Sequence, residues 1–220
     1  MDIQRINSYT DSRFPREVLY QHGAFLVDGR PWAFRVISDH EAVVSGEGLD
    51  AAPLEEAAEA FRFYAEHITT FYDQDGKCLL ELPPVERREL EIDGLQPSQF
   101  SVDREKCAAV GHFLRGAADV VIPVMALPDG TLCVMDGHTR LYEAWRRGIR
   151  RAMVFDSPVT DGVREVMEAF VAEARKRNIY HIRDMALYSP EEQAEKWHRW
   201  CDAFFAARQE AESNDRRNSP

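Results

Sequence analysis

Six consecutive residues concentrate side chains and backbone that could do chemistry: Met135-Asp136-Gly137-His138-Thr139-Arg140. A short apolar run, 132–135, leads into them. Leu141, Ala144 and Trp145 follow at helical spacing, and Gly148 supplies a stop. This order predicts a strand, a glycine turn and a helix start within a few residues. The first N–H groups of a helix have no partner inside it and lie at the positive end of its dipole. Such a junction attracts anions. Gly137 lets the backbone approach an oxyanion closely. Thr139 adds a hydroxyl, His138 a titratable donor, and Arg140 a permanently charged fork suited to phosphate. Asp136 has two readings. It is an N-cap accepting from the N–H of His138 or Thr139, or a carboxylate that positions Mg²⁺ or accepts a proton.

Elements on both sides must hold this turn. Val120 to Leu127 is an apolar, β-branched run and reads as a strand. Pro128-Asp129-Gly130 is a tight turn, and 132–135 returns as the hairpin partner. Asp103 is set to cap a helix over 104–114, and Ala152 to Phe155 reads as a further strand. The expected unit is α/β, with its glycine turn at the C-terminal end of a strand. Open α/β sheets bind ligands there.

The N-terminal half reads differently. Residues 1–19 are polar and mixed and read as an irregular lead-in or a short helix after Pro15. Three strand-like runs follow at 24–27, 32–37 and 41–44, with Asp28-Gly29 as a hairpin turn. An antiparallel meander results. Leu54, Ala57, Phe61, Ala65, Ile68 and Tyr72 recur at three- and four-residue steps, so a helix packed on the meander is expected from Leu54 to Tyr72. His22, His40 and His67 have no mutual metal spacing and read as structural or surface residues.

Pro83-Pro84 resists both helix and strand and marks a boundary. The expected organisation is α+β: an N-terminal domain over 1–85, an α/β domain over 86–156, a C-terminal helical extension over 157–209 and a disordered tail over 210–220. In the extension, 159–177 is amphipathic, and Ser189-Pro190-Glu191-Glu192 combines three helix-start signals. Trp197, Trp200, Cys201, Phe204 and Phe205 then form an aromatic stripe. It docks on the body or receives a protein partner.

Composition narrows the function classes. The 220 residues carry a formal net charge of -11, which argues against a dedicated nucleic-acid binder. Four scattered cysteines, without metal or redox spacing, point to reduced buried thiols and a cytoplasmic setting. The start, Met-Asp-Ile-Gln-Arg, has no secretory signal pattern. No apolar run approaches the ~20 residues of a membrane helix.

The stretch 90–156 resembles the ParB/sulfiredoxin superfamily. The residues that carry this are Leu95-Gln96-Pro97-Ser98-Gln99, Ile122-Pro123-Val124, Asp136-Gly137-His138-Thr139-Arg140-Leu141 and Gly148. The tail from Asn178 to Cys201 also resembles tails on bacterial proteins carrying this domain. The resemblance implies a nucleotide whose phosphates meet Gly137, His138, Thr139 and Arg140. Three branches imply three chemistries. Sulfiredoxins place a reactive cysteine where His138 stands here, and Cys133 lies several residues earlier. ParB proteins have a Gly-Glu-Arg-Arg turn and DNA-binding helices; here the turn is Gly-His-Thr-Arg. Free-serine kinases have an Asp-Gly-His-His-Arg turn, with a glutamate base at the position of Gln99. An amide cannot accept that proton, which leaves Asp136, Asp103 or Glu105 for the role, with Gln99 orienting substrate and His138 and Arg140 stabilising transferring charge.

Three functional expectations result. The first is a nucleotide- or phosphate-binding module with a regulatory role. The second is a kinase that transfers phosphoryl to a small-molecule hydroxyl with Mg²⁺. The third is a ligand-free interaction scaffold. Arg146, Arg147, Arg150 and Arg151 either extend a phosphate path, touch an acidic partner or lie at a solvated helix end.

Overall fold

A computed structural model describes residues 1–49, 51–63 and 65–218, without the side chains of Ala51 and of 212–218. The fold is α+β, built on two main sheets. The first contains β1 (Ile3–Arg5), β2 (Ala24–Val27), β3 (Arg30–Val36), β4 (Glu41–Gly46), β5 (Thr70–Tyr72) and β6 (Cys78–Glu81), in that order. The hairpin between β2 and β3 turns at Asp28 and Gly29, whose φ angles are 47° and 77°. Two positive φ angles match the right-handed twist of the flanking strands, which is why Asp-Gly occurs there. Of the two readings of the lead-in, the helix after Pro15 is the one found: α1 (Arg16–Tyr20) covers one face through Val18 and Leu19. Helix α2 (Ala51–Arg62) covers the other, and Leu54, Ala57 and Phe61 pack among Phe25, Phe34 and Phe71.

Three features of this half depart from the expectation. The lead-in contains β1, which extends the sheet. The sheet also gains β5 and β6, and β5 pairs parallel with β4, so it is more than a meander. Most importantly, α2 ends at Arg62 and not at Tyr72. The apolar spacing continues past the helix because Ile68 and Phe71 enter the same core from a loop and a strand. The β-branched run Ile68-Thr69-Thr70 favours extended backbone. Tyr64 lies outside the described residues.

The second sheet has the order β7-β12-β10-β11-β8. Its strands are β7 (Arg88–Glu91), β8 (Leu95–Pro97), β10 (Val121–Ala126), β11 (Leu132–Val134) and β12 (Arg151–Asp156). β10 pairs antiparallel with β11 and parallel with β12. Helix α3 (Arg104–Gly111) starts at Asp103, whose carboxylate accepts from the N–H of Glu105 and Lys106. Helix α4 (His138–Arg146) follows the glycine turn, and Gly148 ends it at φ 83°. Leu141 and Ala144 of α4 meet Ile122, Val124 and Val134 in the main core.

The C-terminal segment belongs to this body. Helix α5 (Asp161–Lys176) is capped by Thr160 and packs Met167 and Val171 against Met125 and Cys133. Strand β13 (Ala186–Tyr188) pairs parallel with β9 (Ser101–Asp103). Helix α6 (Pro190–Gln193) opens with the expected capping box at Ser189. One π turn leads into α7 (Arg199–Asn218). Phe170 is the hub of the aromatic stripe: Trp197, Trp200, Phe204 and Phe205 have ring centroids 5.5, 5.1, 5.3 and 6.0 Å from it. The stripe therefore docks on the body. Backbone helix continues to Asn218, across most of the stretch expected as a disordered tail; Ser219 and Pro220 lie outside the described residues. Among the described residues no helix is long and apolar enough to cross a membrane.

Candidate functional site

The first turn of α4 is built by the conformation of one residue. Gly137 is the N-cap and sits at φ 84°, ψ 17°, the left-handed region. A Cβ there would lie 2.6 Å from Ile122 Cδ1, a second reason for glycine. Having no side chain, Gly137 cannot cap the helix. Among the described residues no other side chain caps it either, which corrects the capping role read for Asp136. The leading amides of α4 thus keep the unpaired character of a helix start.

Arg140 folds back over this turn. Its Nη1 donates to Val121 O at 2.9 Å, and its Nη2 lies 3.6 Å from the Asp136 carboxylate. Burial lowers its pKa and the Asp136 charge raises it. The Asp136 side chain is half-exposed, so its carboxylate faces solvent beside the guanidinium.

His138 does not act as the expected donor through Nε2. That nitrogen accepts from the backbone N–H of Ser98 at 3.1 Å and lies 3.3 Å from Ser98 Oγ. Ser98 Oγ also contacts Val134 O at 2.7 Å. Burial holds the ring neutral, with its pKa pushed down to about 4 against the opposing pull of Asp136. His138 therefore ties the helix start to the Pro97-Ser98-Gln99 segment. Gln99 itself donates from Nε2 to Ser101 O at 2.6 Å.

Asp136, Gly137, His138, Thr139, Arg140 and Gln99 all line one cavity of about 1060 Å³. Its lining draws on both sheets. The first contributes Arg5, with His22 from the turn after α1 and His67 from the segment between α2 and β5; the second contributes Val121, with Asp103 of strand β9 and Lys106 of α3 beside it. Among the described residues, five Lys or Arg and five Asp or Glu line it. It lacks the acidic excess of the chain as a whole, so a bound anion meets no net repulsion there. Glu66 of the first half accepts from Ser157 Oγ, and Tyr20 stacks on His112 at 5.6 Å, so contacts join the walls.

Several of these residues escaped the sequence reading. His22 lines the cavity, with Asp136, Lys106, Arg140 and Arg5 acting on it, and its pKa falls to about 4, chiefly through desolvation. His67 is buried, lines the cavity and has no partner for Nδ1. An unpaired buried group of this kind costs on the order of 1–3 kcal/mol. No spacing signal could have found either one, because each stands alone in its segment. His40 is a surface residue paired with Asp39, as expected.

Other candidates lie elsewhere. Arg146 and Arg147 pair with Glu143, Arg150 donates to Trp145 O, and Arg151 pairs with Glu89 and Glu91. None of the four lines the cavity, so they secure the end of α4 and the sheet edge. Cys133 is fully buried, and burial pushes its thiol up to about 12. Cys107 is buried too, but Cys78 is exposed, which corrects the expectation of uniformly buried thiols. Among the described residues no three His, Cys, Asp or Glu side chains converge as a metal cage. Magnesium held through ligand phosphates needs as little as one carboxylate, and Asp136 is the exposed one at the turn.

Comparison with known proteins adds little to this geometry. No family model matches the sequence, and no curated protein matches it. A crystal structure of protein Atu1540 from Agrobacterium tumefaciens shares 16% identity, with a TM-score of 0.33. The match covers 47% of this chain and 63% of that one, under two thirds of its length.

Proposed function

We propose that the protein binds a nucleotide or another phosphorylated small molecule at the Gly137 turn and acts as a ligand-responsive module. The observation that carries this is the uncapped, left-handed start of α4, opening onto a large cavity beneath the Arg140 guanidinium. Unpaired amides and a fixed cation at one point are what an oxyanion requires. The order of elements around it supports a ParB/sulfiredoxin-like arrangement: a Pro-Ser-Gln segment beside the turn, a hairpin before it and a strand after α4. The overall acidity of the chain favours a small ligand over a polynucleotide.

A second reading, phosphoryl transfer to a small-molecule hydroxyl, has Asp136 in its favour. Gln99 is turned to Ser101 O, the Asp103 carboxylate is occupied as a cap, and Glu105 does not line the cavity. Asp136 is left as the exposed acid beside Arg140, free to position Mg²⁺ or to take a proton.

Thermal unfolding of the full chain with phosphate, sulfate and a nucleotide panel, each with and without Mg²⁺, tests both. A ligand at a hundredfold its Kd adds about 2.7 kcal/mol. Arg140→Ala should abolish the gain. A shift that survives Asp136→Asn without nucleotide turnover supports the module. Turnover that needs a small hydroxyl compound and is lost in Asp136→Asn supports the kinase. No stabilisation by any of these compounds leaves a ligand-free scaffold.

A further inference from the structure

The cavity has a second wall that the anion-site reading does not use. His67 stands on it, in the segment between α2 and β5. The residue is 7% exposed, more than nine-tenths buried. Its Nδ1 has no hydrogen-bond partner, while one side of the ring rests near Phe155 at a centroid distance of 5.4 Å. Buried polar groups in folded proteins are partnered with few exceptions, and each exception calls for a reason, such as a bound molecule. Arg140, Arg87 and Arg62 bear on the ring electrostatically, opposed by Asp39, which itself pairs with Arg87. With a nitrogen to spare, and with Arg140 the charge that bears on it most, the ring sits where an oxyanion can be received.

We infer that His67 is an anion-contacting residue supplied by the first sheet: the oxyanion held by the α4 amides and Arg140 also takes a hydrogen bond from the His67 imidazole. The ligand then bridges the two sheets. This rests on the anion-site reading of the Gly137 turn and extends it to the opposite wall. A neutral imidazole suits the place. It donates through one nitrogen without adding a fixed charge. The ligand class is a small molecule with an accessible oxyanion such as phosphate. The contact is to that oxyanion, so inorganic phosphate is an adequate probe.

Calorimetric titration of the full chain with inorganic phosphate tests this, using wild type, His67→Phe, His67→Asn and Arg140→Ala. His67→Phe should weaken phosphate binding about tenfold, the loss of one hydrogen bond to a charged group. His67→Asn, which restores a side-chain N–H near the Nδ1 position, should recover most of it. Ring-nitrogen NMR of the wild type should show the His67 signals moving with phosphate saturation while those of His40 stay fixed. This measurement decides the matter even if a His67 variant fails to fold. Unchanged binding in His67→Phe, or stationary His67 signals while wild type binds phosphate through Arg140, overturns the role of His67 and leaves the anion site standing. No phosphate binding by wild type overturns both.

Discussion

Each sheet sends one buried histidine to the same cavity, and the two are opposites. His138, on the second sheet's side, has its Nε2 engaged by Ser98 and joins two segments of backbone. His67, on the first sheet's side, is equally buried and has an orphaned nitrogen. Both rings are held neutral, chiefly by desolvation. Burial and a depressed pKa therefore do not separate a scaffold histidine from a ligand-seeking one. Accounting for hydrogen-bond partners does, because an unmade bond is a cost that folding alone left in place.

The largest expected effect concerns the turn that sets His138 in position. Gly137→Ala combines a left-handed φ with a collision at Ile122. It should cost about 3 kcal/mol, from about 1–2 for the conformation and the rest from overpacking. Gly130 has φ 82° and open space around it, so Gly130→Ala should cost only the conformational share. Urea unfolding of both variants checks the gap. Equal losses would mean that Gly137 is there only to turn the chain.

Next, the two histidines should respond with different signs. His138→Phe strands the Ser98 N–H and should cost about 1–3 kcal/mol. His67→Phe removes an orphaned nitrogen and should leave stability within about 1 kcal/mol of wild type or raise it. Comparable losses in the two variants would erase the contrast.

The same rings impose a pH dependence. Folded pKa values of about 4 for His138 and about 3 for His67 lie below the ordinary value near 6.5. As pH falls below about 6.5, the unfolded chain binds protons that the folded rings refuse. Stability should therefore decline from pH 6.5 towards 4, by at most about 1.4 kcal/mol per pH unit for each ring. His67→Phe should flatten that slope by one ring's share, as read by unfolding midpoints across this window. A smaller effect is expected at the sheet edge. Arg151 pairs with Glu89 and Glu91 in solvent, so Arg151→Gln should leave both the unfolding midpoint and phosphate binding close to wild type.

Local chemistry made much of the fold legible in the sequence. The Asp28-Gly29 turn, the Asp103 and Ser189 helix starts, the Gly148 stop and the 120–135 hairpin all depend on neighbours in the chain, and each is found in the structure. Where the sequence misled, the controlling partner was distant. The helix expected to reach Tyr72 stops at Arg62 because β4 recruits Thr70–Tyr72 as a parallel strand, and parallel pairing leaves no local mark. Asp136 looked like a cap, but the left-handed turn at Gly137 gave the N-cap position to a residue without a side chain.

By itself the sequence determined which residues could meet an anion: a glycine, a helix start and an arginine four positions after an aspartate, all within six residues. Helix geometry and the dipole are local, so their consequences can be read without a fold. Tertiary structure alone decided what faces them. It engaged His138 with Ser98, moved four arginines away from the cavity and brought His67 from some seventy residues upstream to the same cavity. Burial and hydrogen-bond partnership are properties of packing between segments, and no local pattern encodes them.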